Sequence, residues 1–330
     1  MAPGSITQVT GIEAGHFTDP RRPTGCSVVI ARQGAVGGVD VRGAAPGTRE
    51  TDLLDPANLV DKVHAILLAG GSAWGLDAAT GAVRWLEEQG VGLDLGMARL
   101  PLVPAAVLFD LHVGDARIRP DAQAGYAACA AASGAPPAEG NVGAGAGACV
   151  GKVFGMPYAM KGGVGTASVT VDGVTVGALI ACNAVGDVVD PATGLPLVGA
   201  RTADGLALRG TRNALLAGER PHPILAGSNT TIGVIATDAP LSKAQAQRLA
   251  VAGHDGLARA INPVHTMSDG DTLFALSTGL AGKSPGMLVL ATMAAEAVAR
   301  ATVRAVQAAQ SITTSNGLTL PGLADWKGPR

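Results

Sequence analysis

Apolar positions in this chain change period several times, and each change marks an element. His64-Ala65-Ile66-Leu67-Leu68-Ala69, bounded by Gly70-Gly71, has the length and composition of a buried strand. From Ser72 the spacing lengthens: Leu76, Ala79, Val83 and Leu86 recur at helical intervals up to Gly90, so the pattern predicts strand, glycine turn and helix in succession. Ahead of them, Asp55-Pro56 supplies an N-cap and a first-turn proline for a short helix reaching about Lys62. The run 102–111 is β-like, and 121–132 reads as an Ala-rich helix ended by Ser133-Gly134. Two β-rich runs, 166–171 and 174–181, flank Asp172-Gly173, the dipeptide of a type I′ hairpin. Across 191–223 the periodicity is weak and Pro and Gly are scattered, which predicts an exposed linker. Beyond it, 232–237 reads as a strand, and Ser242 caps a helix in which Leu249, Gly253, Leu257 and Ile261 stack until Pro263 stops it. A strand over 273–277, a helix over about 285–310 and an irregular tail over 311–330 complete the pattern. Strands with helices on their outer faces predict a layered α/β sandwich.

Composition narrows the function. The chain has 330 residues, enough for a large core in one domain or two. Its 47 Gly residues are about twice the usual ~7% usage while aromatics are only 3%, so tight turns and close backbone packing replace bulky anchors. A formal net charge of -2 without blocks of like charge gives nothing to draw the protein to nucleic acid or an acidic membrane, and favours a small-molecule or peptide partner. Cys26, Cys129, Cys149 and Cys182 are far apart and predict reduced, buried thiols rather than a zinc site or disulfide framework. The first residues lack a basic segment followed by an apolar core, and no apolar run reaches ~18 residues, which predicts a cytoplasmic protein.

Most motif-like stretches fail their chemical test. In Gly143-Ala144-Gly145-Ala146-Gly147-Ala148-Cys149-Val150-Gly151-Lys152 the first Gly of a phosphate loop is Ala146 and the hydroxyl after Lys is Val153. Gly70-Gly71-Ser72 resembles a nucleophile elbow until Trp74 takes the place of Gly. His16, His64, His112, His222, His254 and His265 have no ligand spacing, and Asp269-Gly270-Asp271 opens like a calcium loop that Leu273 then breaks, so no metal and no cofactor are implied. What survives is Gly227-Ser228-Asn229-Thr230-Thr231 directly before a β-rich run, with Asp269-Gly270-Asp271-Thr272 downstream. If the peptide bond before Thr230 is cut, the freed α-amine lies within reach of its own hydroxyl. Its ordinary pKa of about 7.7–8.0 suits a general base at neutral pH.

Several ordered motifs share this pattern: Thr24-Gly25-Cys26, GAAPGTRETDLLD over 43–55, AGGSAWGL over 69–76, KGGVGTAS over 161–168, NTTIGVIAT over 229–237 and DGDTLFA over 269–275. In them the chain resembles the self-processing family of L-aminopeptidase D-amidase/D-esterases, β-peptidyl aminopeptidases and nylon-oligomer hydrolases. The resemblance spans nearly the whole chain. It implies a four-layer αββα sandwich of the N-terminal nucleophile hydrolase type, formed by a single domain over 1–330. It also implies autocleavage between Asn229 and Thr230 into an α-chain of 1–229 and a β-chain of 230–330, and assembly as a homo-oligomer, a tetramer of αβ units.

Carried over residue by residue, the resemblance makes Thr230 the nucleophile, its α-amine the base and Asn183 a donor to the tetrahedral oxyanion. Lys152 matches an active-site lysine that orients the hydroxyl or tunes the amine. Asp269 and Asp271 match the carboxylates of the nylon-oligomer hydrolases, where aminopeptidase relatives carry Ser and Glu. Two pocket positions depart from the pattern. Phe109 stands where relatives often carry Tyr, and Val107 where aminopeptidase relatives use Glu to hold the substrate ammonium. Losing a charge-assisted hydrogen bond of that kind costs ~1.5–3 kcal/mol, which argues against strict aminopeptidase specificity. The implied activity is hydrolysis of small peptides, amino acid amides, β-peptides or ω-amino acid oligomers through an acyl-enzyme. An acyltransferase of the ornithine-acetyltransferase type and an unprocessed binding protein are the alternatives.

Overall fold

The computed structural model describes residues 4–223, 227–315, 317–326 and 328. One twisted sheet carries nine strands: β1 Glu13–Thr18, β2 Gly25–Val41, β3 Thr48–Arg49, β4 Lys62–Ala69, β5 Ala105–Val107, β6 Gly163–Val171, β7 Val174–Asn183, β8 Thr230–Thr237 and β9 Thr272–Ser277. Its spatial order is β6-β7-β8-β9-β2-β4-β5-β3, with β1 also paired to β2. The pairs β8–β9 and β4–β5 are parallel and the others antiparallel. The helices are α1 Ala78–Glu88, α2 Ala122–Ala130, α3 Thr211–Leu216, α4 Lys243–Ala260 and α5 Met287–Gln307.

The long strand β2 divides this sheet into two facing halves. Its distal part, 36–41, pairs with β9, and its proximal part pairs with β4. Between them the register slips: Ile30 lies opposite Ala65 but Ala35 opposite Val63, so extra residues bulge out and Gly34 turns to φ +73°. Such a bulge bends a strand and increases its twist. Side chains from the two halves therefore meet: Val29 of β2 and Ile66 and Leu68 of β4 share one buried cluster with Ile232 and Val234 of β8 and Phe274 of β9. On the outer faces, Ile235, Leu273 and Ala275 pack under α4 and α5, whereas Val28, Ala65 and Leu67 pack under α1 and α2. Period-two alternation sends successive residues of one strand to different cores, and three cores separate four layers in the order αββα.

Most expected elements are present. Asp172 and Gly173 both have positive φ (51° and 73°), as a type I′ turn requires, and the hairpin extends to Gly163 and Asn183. Ser242 and Gln245 form a reciprocal capping box at the start of α4. Three expectations fail, one of them the irregular tail, since Ile312–Thr313 and Thr319–Leu320 pair there as a short antiparallel hairpin. The helix after Asp55-Pro56 is absent, because the Asp55 carboxylate accepts from Ala57 N at 2.7 Å in a local turn and Lys62 enters β4 opposite Val36. Nor is 191–223 a plain linker. It contains a strand, Pro196–Val198, paired with Asp187–Val189, and the helix α3. Buried Asp187 fastens this segment by accepting from Ala200 N (2.8 Å), Thr211 N (2.6 Å) and Thr211 Oγ1 (2.6 Å). These partners lie 13 and 24 residues away and leave no periodic trace.

Helices α1 and α2 touch through glycine. A β-carbon on Gly81 would lie 1.6 Å from Ala122 O, and one on Gly125 1.8 Å from Ala78 O. Helix propensity alone favours Gly81→Ala by about 1 kcal/mol. The close contact reverses that sign, and overpacking of this kind costs about 1–3 kcal/mol. A thermal melt of Gly81→Ala is expected to show a Tm several degrees lower; an unchanged or higher Tm would mean the two helices are not held at this separation.

Candidate active site

Topology brings the chemistry to one edge. Because β8 and β9 are parallel, both begin at the same end of the sheet, and antiparallel β7 finishes there, with Asn183 directly opposite Thr230. The parallel pairing continues one step beyond the strands as a bridge between Asn229 and Asp269. Thr230 therefore sits at the head of a central strand, only 2% exposed.

The Asn229–Thr230 peptide is tightly surrounded. Thr230 Oγ1 lies 2.5 Å from Asn229 O, and the same carbonyl oxygen accepts from Gly270 N at 3.0 Å. Gly270 cannot carry a side chain here, since its β-carbon would lie 2.6 Å from Ala45 O and 2.9 Å from Thr230 Oγ1. The segment after β2 secures the turn from outside: Arg42 N and Gly43 N donate to Asp271 O, and Ala45 N donates to Asp269 O.

Asn183 has a fixed orientation. Its Oδ1 accepts from Cys149 N and from Lys152 Nζ, both at 3.0 Å, and its Nδ2 donates to Phe109 O at 3.1 Å. With both acceptor positions filled, the amide cannot be reversed, and Nδ2 keeps a second hydrogen. Lys152 Nζ also donates to Asn183 O (2.9 Å) and Ser228 O (3.3 Å), two residues before Thr230. Burial pushes the Lys152 pKa below the ordinary lysine value.

The two carboxyl groups differ. Asp271 is fully engaged: Oδ1 accepts from Thr231 N at 2.7 Å, and Oδ2 accepts from His265 Nδ1 at 2.8 Å and His265 N at 3.2 Å. Asp269 accepts from Thr266 N at 2.7 Å through Oδ2, while its buried Oδ1 has no hydrogen-bond partner among the described residues. Burial, and then the neighbouring Asp271 charge, push the Asp269 carboxyl up to about 6.

Thr230, Asn183, Lys152, Asp269 and Asp271 thus converge. Val107 lies buried at the end of β5, where its Cγ2 abuts Gly47, and the Phe109 ring packs at 4.8 Å against His112. Neither lines the adjoining cleft of about 380 Å³, whose wall is built from His112, Lys152, Phe154, Tyr158, His222 and Ser228. Sequence reasoning missed the Gly270 N–H, His265 and the 154–158 wall. The first is a backbone group and the other two come together only in space.

The αββα sandwich thus holds a buried threonine at the head of a central strand, with its hydroxyl against the preceding carbonyl oxygen. The chain belongs to Peptidase family S58, whose model matches residues 4–320. It is 48% identical to an uncharacterized aminopeptidase of Mycobacterium leprae, over 93% of this chain and 91% of that protein. It is 33% identical to the 6-aminohexanoate-oligomer endohydrolase of Paenarthrobacter ureafaciens, over 81% of this chain and 72% of that one. Among solved structures, the L-aminopeptidase D-Ala-esterase/amidase of Ochrobactrum anthropi superimposes with a TM-score of 0.72 at 21% identity, covering 97% and 92% of the two chains. That structure is itself described as a variant of the Ntn hydrolase fold, so the likeness is one of architecture.

The raised Asp269 pKa has a consequence for stability. The proton is bound more tightly in the folded than in the unfolded protein, so this contribution is complete below the ordinary value of 3.8 and is lost as pH rises through about 6. Asp269→Asn keeps the shape without the charge. In the Thr230→Ala background, which lacks the neighbouring hydroxyl, the Asn variant is expected to gain stability relative to its parent between pH 4 and pH 7, by up to ~3 kcal/mol. Chemical denaturation across that range checks it, and a difference independent of pH would contradict a buried titrating carboxyl.

Proposed function

We propose that this protein cuts itself between Asn229 and Thr230 and then hydrolyses small amides through an acyl-enzyme on Thr230. The observation that carries the reading is the contact of Thr230 Oγ1 with the Asn229 carbonyl at 2.5 Å, with Gly270 N–H already donating to that oxygen. Attack of the hydroxyl on the carbonyl carbon moves the acyl group from nitrogen to oxygen, and the hydroxyl proton goes to the departing amine. Water then cleaves the ester, leaving an Asn229 carboxylate, a free Thr230 amine and a restored hydroxyl. The products are an α-chain of 1–229 and a β-chain of 230–330 that remain one folded unit. A network of pairing supports this, since β8 is hydrogen-bonded to β7 and β9 along its whole length.

In turnover the Thr230 amine removes the hydroxyl proton, delivers it to the leaving amine and later activates water. Gly270 N–H and the second hydrogen of Asn183 Nδ2 are the oxyanion donors. Lys152, its basicity lowered by burial, orients the chain through Ser228 O and exchanges protons near the scissile nitrogen. Asp269, titrating near 6, balances the charge of the new ammonium.

The substrate is a small peptide, amino acid amide, β-peptide or ω-amino acid oligomer. Ser228 and Asn229 border the cleft on the acyl side of the bond, and the acyl part of an external substrate takes the same side. A cleft of about 380 Å³ suits a short chain. The names of relatives, an aminopeptidase and a 6-aminohexanoate-oligomer endohydrolase, agree with that class. Four buried free cysteines accord with a cytoplasmic setting, and no helix among the described residues is long and apolar enough to cross a membrane. We also infer a homo-oligomer of αβ units, for which exposed Leu93, Leu95, Met97 and Leu100 on one short hairpin speak.

Intact-mass measurement under denaturing conditions tests the reading directly. Wild type is expected to give a fragment beginning Thr230-Thr231-Ile232, whereas Thr230→Ala stays whole and inactive. A cleaved or active Thr230→Ala protein would remove Thr230 as nucleophile. Asn183→Ala is expected to fall by about 10²–10³ in kcat, checked by steady-state assay on a panel of amino acid p-nitroanilides. Added amine acceptors should leave the hydrolytic product dominant, which separates this enzyme from an acyltransferase.

A further inference from the structure

His265 lies in the loop between a short strand, Ile261–Asn262, and β9. Its backbone adopts φ +55°, a region uncommon for non-glycine residues, among which Asn, Asp and His are the better represented. Strain of this sort persists where surrounding contacts over-determine it, and it concentrates at functional sites. Here the contacts are specific. Backbone N and ring Nδ1 of His265 both donate to Asp271 Oδ2, at 3.2 and 2.8 Å. Since that oxygen belongs to a carboxylate, Nδ1 carries the hydrogen. From α4, the fully buried His254 packs its ring against His265 at 4.8 Å and 67°, and donates from Nε2 to Asp40 O at 3.0 Å. Burial first, with the His265 neighbour adding to it, pushes His254 down to about 4, so it is a neutral wall.

We propose, resting on the Thr230 reading, that His265 is a positioning residue whose imidazole pins Asp271 in the single orientation that holds the Thr231 amide. The physical reason lies in what cleavage removes. Once the bond before Thr230 is cut, Thr231 N–H is the first amide of the new chain, and Asp271 Oδ1 grips it at 2.7 Å. That bond fixes the peptide plane on which the Thr230 amine and hydroxyl ride. With Oδ2 occupied by His265, Asp271 has no free oxygen to turn toward the nearby ammonium. Without the imidazole, Oδ2 keeps only the longer bond from the 265 backbone N, and the carboxylate can turn to pair with the Thr230 amine, which would raise the amine's basicity and displace it from the hydroxyl. His265 also supplies two of the three hydrogen bonds that the Asp271 carboxylate receives, and so sustains the charge that pushes Asp269 up.

Two substitutions separate positioning from mere structure. His265→Gly removes the side-chain donor but suits φ +55° better than His does, so its Tm is expected to stay level or rise. Its rate of self-cleavage, followed by the appearance of the Thr230 fragment, is expected to fall at least tenfold. His265→Asn tolerates the same backbone and places an amide N–H near the position of Nδ1. It is expected to recover the rate to within about threefold of wild type. A Gly variant that cleaves at the wild-type rate, or one whose rate falls only in step with a lowered Tm, overturns the proposal, as does an Asn variant no faster than Gly. A wild-type chain never cut before Thr230 defeats the underlying reading together with this one; a normally cut wild type with an unimpaired Gly variant defeats this one alone.

Discussion

The hydrogen bond from Gly270 N to Asn229 O, at 3.0 Å, is the contact on which the site depends. It carries the parallel β8–β9 pairing one residue beyond the strands, across the peptide that precedes Thr230. A parallel ladder fixes both strand starts at the same edge, so a bond between their leading residues aligns the carbonyl, the hydroxyl and the 269–271 turn together. The bond requires glycine at 270, because any β-carbon would strike Ala45 O and crowd Thr230 Oγ1. Sheet pairing, rather than a flexible loop, therefore positions the Asn229–Thr230 peptide.

Around that peptide the protein buries an unusual number of charges. Lys152, Lys161, Asp110, Asp269 and Asp271 are all under 9% exposed. Each is satisfied differently. Lys161 is caged by three carbonyls, Gly145 O, Ala148 O and Gly162 O at 2.8–2.9 Å, and burial pushes its pKa down to about 7. The cage holds the glycine-rich loop so that Cys149 N meets Asn183 Oδ1. Arg22 pairs with Asp110 at 2.7 Å, and Asp110 also accepts from Gly71 N and Thr24 Oγ1, which secures the backbone next to Phe109 O. Breaking one partner of such a buried pair is costly, about 3–5 kcal/mol, because the other charge is left without compensation. Among the described residues, Asp269 Oδ1 alone of these acceptors stays unpaired, beside the parallel bridge to Asn229.

The departures at 107 and 109 take on a physical meaning in this setting. Val107 abuts Gly47, and among the described residues no carboxylate stands in the wall of the cleft to receive an ammonium group. Phe109 contributes its backbone carbonyl to Asn183, a role that does not depend on its side chain. The cleft is instead shaped by the 154–158 segment and by His112 and His222, while Thr230 heads a central strand and Asp269 and Asp271 lie in the turn before its parallel neighbour. Lys152, Ser228 and Asn229 belong to both cleft and site, so the cleft opens directly onto the Asn229–Thr230 peptide.

Local physics made much of this legible in the sequence. Strand and helix periods, the Asp172-Gly173 turn, the Ser242 cap and the breaks at Gly70-Gly71 and Pro263 depend on neighbours within a few residues. Ordered motifs likewise put Thr230, Asn183, Lys152, Asp269 and Asp271 on the page without a structure. Long-range contacts were not legible. The bulge in β2 that folds the sheet into two facing halves, the anchoring of 196–211 by Asp187, and the meeting of His265 with Asp271 all arise from backbone geometry and partners far away in sequence or space. A side chain's type can be read from the chain alone. Which oxygen it faces, how dry its surroundings are and therefore which protonation state it holds are decided by tertiary packing, since burial and hydrogen bonding set those energies only once the elements have come together.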